Sequence, residues 1–129
     1  MNEPGFMGYK INKNVKHFLP NTVLFSNENE RITVAMIKNA LDYILGIIAT
    51  RSPLVEPYKT AKTVFGALKM ILENKNPSKP SKTDMKTTVD VLKEIADLSA
   101  KSELEKEQNA RYAFLCKLMI EGLFKNEQV

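Results

Sequence analysis

The chain has 129 residues, one cysteine, 43% apolar and 26% charged residues, and a formal charge of +4. That length suits one domain with a core of its own, and the composition excludes disorder and burial in a membrane. One thiol excludes an internal disulfide, and a lone His17 beside Cys116 leaves no ligand set for structural zinc.

Residues 1–26 scatter Pro4, Gly5, Gly8 and Pro20 among aromatics, which predicts an irregular N-terminal arm with short extended pieces at 9–11 and 22–25. Asn27 and Glu30 read as a capping pair opening a first helix over about 28–50. Val34, Ile37, Leu41, Ile44 and Ile48 step three and four residues along one stripe, flanked by Met36, Ala40, Tyr43 and Ile47. A helix apolar over most of its circumference belongs at the centre of the fold. Ser52, Pro53 and Pro57 bracket a turn before a second helix at about 58–74, whose inner face is Ala61, Val64, Phe65, Leu68, Ile71 and Leu72. The Pro/Ser/Lys-rich stretch 75–83 is the one linker-like segment. A third helix at about 84–100 and a fourth at about 103–125 follow, the latter opened by a capping box at Ser102 and Glu105.

Four amphipathic helices with short connections predict an all-α, single-domain four-helix bundle over 27–129, with 1–26 as the arm. Met1 to Pro20 holds no apolar run of leader type, and the longest apolar stretch, 43–49, is far short of a membrane span. The expected setting is cytoplasmic, with a reduced thiol and no membrane.

The charge is unevenly placed. Between 53 and 82, Lys59, Lys62, Lys69, Lys75, Lys79 and Lys82 face only Glu56 and Glu73, whereas the remainder of the chain after 82 is acidic overall. These six lysines are the candidate nucleic-acid contacts, holding phosphates through counterion release. Only Arg31, Arg51 and Arg111 are arginines, which argues against bidentate readout of bases.

Other candidates carry less. Cys116 sits on the apolar stripe of the fourth helix, where a thiol packs like alanine. His17 stands between Lys16 and Phe18 in the arm and reads as a surface residue. Asp90, Glu94 and Asp97 share one helix face at a spacing that chelates Mg²⁺ when a second such pair opposes it, as in small all-α nucleotide pyrophosphohydrolases. No second pair is present. Glu103, Glu105 and Glu107 fall in a first helical turn, where the helix dipole accounts for them. The sequence thus offers no catalytic, cofactor-binding or metal-binding residues, and an enzyme is not expected.

Locally, residues 88–124 resemble the helix-turn-helix of winged-helix regulators: an apolar-patterned helix through Leu98, a turn at 99–102, and a helix ending near Phe124. The resemblance implies DNA binding, although glutamates at the start of the second helix repel phosphates. The third helix divides its apolar residues into Val89, Leu92 and Ala96 on one side and Val91, Ile95 and Leu98 on the other. The second set is the candidate partner-binding surface, towards another protein or a second copy. The leading expectation is a small non-enzymatic protein acting by protein–protein binding, as adaptor, inhibitor, regulator or self-assembling subunit. The alternative is nucleic-acid binding along residues 58–82, and a Mg²⁺-dependent nucleotide hydrolase stands third.

Overall fold

The extended pieces expected near the N-terminus are strands, and they do more than trail from the bundle. In the computed structural model, which describes residues 8–51, 56–98 and 102–125, β1 (Lys10–Ile11), β2 (Val23–Ser26) and β3 (Arg31–Thr33) form an antiparallel sheet in the order β1-β2-β3. Ile11 pairs with Phe25, and Phe25 with Ile32. Between the pairs Val23–Thr33 and Phe25–Ile32 the β2 strand carries an extra residue, Leu24. A bulge of this kind breaks the alternation of faces. Its consequence is that consecutive residues Leu24 and Phe25 are both buried, together with Ile32.

The Asn27–Glu30 segment closes this hairpin instead of opening a helix. The Asn27 side-chain oxygen accepts from the backbone N–H groups of Asn29 and Glu30, both at 2.8 Å, and its own N–H donates to the Glu30 carbonyl. Asparagine caps a turn by the same bonds with which it caps a helix, so the sequence signal serves either end. The first helix, α1 (Val34–Arg51), therefore starts later than about 28, directly from β3. Thr33 is its N-cap, its hydroxyl oxygen accepting from the Met36 N–H at 3.3 Å, while Val34 and Ala35 donate to the carbonyls of Thr22 and Pro20.

α2 (Glu56–Leu72) carries Pro57 in its first turn, where proline's missing N–H costs nothing. The turn expected across 52–57 otherwise lies outside the described residues. α2 ends in a left-handed Asn74 (φ 63°): Asn74 N–H donates to the Ile71 carbonyl and Lys75 N–H to that of Met70. That pairing is the Schellman stop, with asparagine in the place usually held by glycine. α3 (Lys82–Ala96) is capped by Ser81, whose Oγ accepts from the Asp84 N–H, and it ends at Asp97. The turn expected at 99–102 lies outside the described residues up to Ser102, the N-cap of α4 (Glu103–Met119), whose Oγ accepts from the Glu105 N–H. A π-helical turn, Ile120–Lys125, completes the fourth helix.

Each helix packs on its neighbours in sequence, and α4 closes the ring on α1. This is the expected four-helix bundle. The α1 stripe of Val34, Ile37, Leu41, Ile44 and Ile48 is buried throughout, and it meets Phe65, Leu68, Met85, Leu92, Leu115 and Met119 in one core that also takes in the sheet residues Leu24, Phe25 and Ile32. No described helix is long and apolar enough to cross a membrane.

Candidate functional site

The six lysines singled out from the sequence all lie on the surface, but the fold divides them. Lys59 and Lys62 stand exposed on the outer face of α2. Lys69 turns towards α1, with its ammonium 3.6 Å from Asp42. Lys82 opens α3. Lys75 and Lys79, in the connector between α2 and α3, are brought to one cleft of about 320 Å³ together with Lys16, which lies in the segment between β1 and β2. Lys16 was not among the sequence candidates, because nothing in the chain before folding places it beside residues 75–79.

The local geometry of this cleft follows from the end of α2. Because Asn74 adopts the left-handed turn, its side chain projects from the helix end and accepts a hydrogen bond from the Phe18 N–H at 3.4 Å. That contact fixes the strand-linking segment against the bundle. Phe18 is half-buried and lines the basic cleft; its ring also borders a second cleft of about 330 Å³, bounded by Ile11, Asn12, Lys13 and Leu123. Buried Phe124 and half-buried Ile71 complete the basic cleft beside Asn74 and Asn76. No acidic side chain lines either cleft among the described residues, although Glu73 pairs with Lys75 at 3.3 Å on its outer side.

The carboxylates of α3 do not converge. Asp90 pairs with Lys86 at 3.1 Å one turn away, Glu94 accepts a hydrogen bond from the Tyr58 hydroxyl, and Asp97 caps the helix. Among the described residues no cluster of three or more His, Cys, Asp or Glu side chains is arranged to hold a metal ion. Cys116 is fully buried, and burial pushes its thiol well above the usual range, which suppresses the thiolate that nucleophilic chemistry needs. His17 is exposed in the arm.

The surface assigned from sequence to a partner is already covered. Val91 is 3% exposed, Ile95 is fully buried and Leu98 is half-buried, so both apolar sets of α3 face the interior of this chain. The physical reason is that α3 packs against both α2 and α4. The helix-turn-helix pattern of 88–124 meets a similar limit. From Ala113 onwards α4 is buried nearly all round, and the exposed start of the helix carries Glu103 and Glu107.

A polar seam that sequence reasoning missed joins the sheet to α4. Glu30, in the β2–β3 turn, accepts from the Tyr9 hydroxyl and from both terminal nitrogens of Arg111. Hydrogen bonding from these two partners holds its carboxyl below the ordinary value, that of Tyr9 first and that of Arg111 second. Desolvation and the neighbouring Glu30 raise Tyr9. Arg111 also lies over the Phe114 ring, 5.8 Å from its centroid, and Tyr9 packs on the same ring at 5.7 Å. Close by in sequence on α4, buried Asn109 accepts from the Tyr43 hydroxyl at 2.6 Å, and the Tyr43 ring packs at a tilt against Tyr112 with centroids 4.6 Å apart. Comparison with known protein families, curated proteins and solved structures finds no match to this chain.

Chemically, the seam and the cleft differ in what they leave over. Every charge in the seam has a partner within the chain. The cleft gathers ammonium groups, amides and an aromatic ring at a surface open to solvent, a set that suits an anionic ligand with a planar, apolar part.

Proposed function

We propose that this chain is a non-enzymatic, cytoplasmic binding protein whose partner is nucleic acid, held along the lysine-rich edge formed by α2, the α2–α3 connector and the segment between β1 and β2. The observation that carries this reading is the meeting of Lys16 with Lys75 and Lys79 at one cleft, with no carboxylate among the described residues of its lining. Ammonium groups on flexible stems follow a phosphate backbone as point charges and read no sequence, so a lysine-rich, arginine-poor edge fits general polyanion binding. The enclosed Cys116 and the engaged Asp90 and Glu94 support a role without catalysis. Titration of labelled duplex and single-stranded oligonucleotides at about 50 and 200 mM salt tests the reading. Affinity should fall steeply with salt, and charge reversal of the edge lysines should abolish it. Absence of binding at the lower salt rejects the proposal.

A second reading keeps a protein partner, on a different face. Leu104 is 65% exposed at the rim of a cleft lined by Met36, Tyr112 and Leu115 between α1 and α4. In a two-fold pair each copy offers the same knob and the same hole, so Leu104 of a second copy is the occupant that fits. Light scattering across a concentration series tests it: a dimer that becomes monomeric with Leu104→Asp supports self-association, and a monomer throughout rejects it.

A further inference from the structure

We infer that the trough made by the two clefts flanking Phe18 is a binding site for single-stranded nucleic acid, with Phe18 as a stacking platform for an unpaired base and Lys16, Lys75 and Lys79 holding the adjoining phosphates. The inference rests on the polyanion reading and narrows it to a strand type and a place. Three observations carry it.

The first is the position of the ring. Phe18 borders both clefts, so it is the wall they share, and it is only half-buried although it packs against the core cluster. Phe18 is thus an aromatic side chain within reach of a base in either cleft. Stacking of that kind is tolerant of sequence because every base has such a face.

The second is preorganisation. The Phe18 backbone is tied by its N–H to the Asn74 side chain at 3.4 Å. Asn74 in turn is set by the two hydrogen bonds that end α2, Asn74 N–H to the Ile71 carbonyl and Lys75 N–H to the Met70 carbonyl. The same turn delivers Lys75 to the cleft, so the ring and a phosphate-binding ammonium are positioned by a single structural device. The segment that carries the ring therefore needs little further ordering on binding.

The third is shape. The clefts, about 320 and 330 Å³, lie at the lower end of the range for small-ligand sites, about 300–1,000 Å³. A base or a nucleotide fits such a space. A duplex presents only its groove edges and backbone, with its base faces stacked on one another, and offers nothing to Phe18. Among the described residues the lining holds lysines and asparagines and no arginine, which supplies backbone contacts and single hydrogen bonds, not bidentate base recognition.

The test is fluorescence anisotropy with a labelled oligo(dT) of about 12 nucleotides and the matching duplex, using the full chain, with thermal melting of each variant. The strand should bind at least about tenfold more tightly than the duplex, and Phe18→Ala should remove about tenfold of that affinity. With three lysines on phosphates, log affinity should fall against log salt with a slope of about −2. Because Phe18 touches the core, Phe18→Leu serves as the variant that keeps apolar bulk while losing the ring, and Lys16→Glu with Lys79→Glu alters exposed residues alone. Each should weaken strand binding, whereas Lys93→Glu with Lys106→Glu, at exposed positions of α3 and α4 outside the lysine-rich edge, should change it less than about twofold. Adenosine monophosphate and inorganic phosphate serve as competitors; displacement of the strand by either at comparable concentration would assign the cleft to a free nucleotide or phosphate and overturn the inference. Equal binding of strand and duplex, weakened by Lys59→Glu with Lys62→Glu but not by Phe18→Ala, would leave the polyanion reading standing and remove this site. Binding of neither would remove both.

Discussion

Besides the shared core, two polar contacts between the N-terminal sheet region and the helical bundle differ in kind. At Glu30 the sheet region is joined to α4 by a half-buried carboxylate, a tyrosine hydroxyl and a guanidinium, each satisfied by the others. At Phe18 it is joined to the end of α2 by one longer hydrogen bond and an aromatic edge, with Lys16, Lys75 and Lys79 gathered around it. Charged groups at the first contact complete one another inside the chain and contribute to holding it together. Those at the second are exposed cations gathered at one cleft, with Lys75 in a surface pair with Glu73, and they contribute little to the fold. The difference shows how to sort the charged residues of a small basic protein: by whether the fold supplies their counter-charge.

The largest expected effect tests whether the sheet is integral to this arrangement at all. Phe25 is fully buried between β1 and β3 and joins the same core as α1. Phe25→Ala should cost about 3–5 kcal/mol of unfolding free energy, as removal of a buried aromatic side chain does elsewhere. Chemical denaturation measures it. A cost below about 1 kcal/mol would mean that the sheet is a loosely held attachment and that neither contact matters to the whole.

The Glu30 contact comes next. Glu30→Gln or Arg111→Met should each cost about 1 kcal/mol at neutral pH, since each removes a charged hydrogen-bonding partner from a pair that water still reaches in part. The pH dependence has a definite sign. The folded-state carboxyl of Glu30 lies below its unfolded value near 4.5, so its contribution is present above that pH and is lost as the pH falls through the lower, folded value. Urea midpoints of wild type and Glu30→Gln should therefore differ at pH 7 and converge progressively below about 4.5. A difference that persists unchanged into acid would assign the cost to packing, not to the charge.

How far these two contacts were legible in the sequence depends on the range of the signal. Periodicity located the four helices and the α1 stripe, because a 3.6-residue repeat is written in consecutive residues. Local capping at Ser102 was legible for the same reason. Asn27 misled because asparagine closes a hairpin turn with the same bonds it uses to cap a helix, and only the burial of Ile32 in a strand decides between them. Glu30 and Arg111 are 81 residues apart in the chain, and Phe18 and Asn74 are 56 apart; no spacing rule reaches across either gap. The lysines of 59–82 were visible as composition, whereas the partition that places Lys75 and Lys79 with Lys16, and Lys69 with Asp42, exists only once the helices have packed. Val91, Ile95 and Leu98 show the converse error: an apolar set that looked spare in one helix is used up when that helix packs against two others.

The Asn74 turn gives an effect of similar size that bears on the second contact. A left-handed conformation favours glycine and tolerates asparagine, so Asn74→Ala should cost about 1 kcal/mol from backbone strain, with the Phe18 hydrogen bond lost as well. Asn74→Gly relieves the strain while losing the same hydrogen bond, and it should lie at or above wild-type stability. If glycine were as damaging as alanine, the Asn74 side chain and not its backbone would be what holds the end of α2.

The smallest effect is the one that separates the two contacts most sharply. Lys16, Lys75 and Lys79 are exposed, and Lys75 pairs with the exposed Glu73, a surface pair of the kind that contributes little. Lys16→Gln with Lys79→Gln removes two like charges from one cleft and breaks no hydrogen bond recorded between described residues. Unfolding free energy should stay within about 0.5 kcal/mol of wild type, with any change on the stabilising side and shrinking as salt screens the repulsion. The same double substitution at Glu30 and Arg111 would not be neutral, because it removes partners that the fold itself supplies. A loss above about 1 kcal/mol from the lysine pair would show that these ammonium groups have counter-charges within the chain, and the cleft would then belong with the Glu30 contact as part of the scaffold.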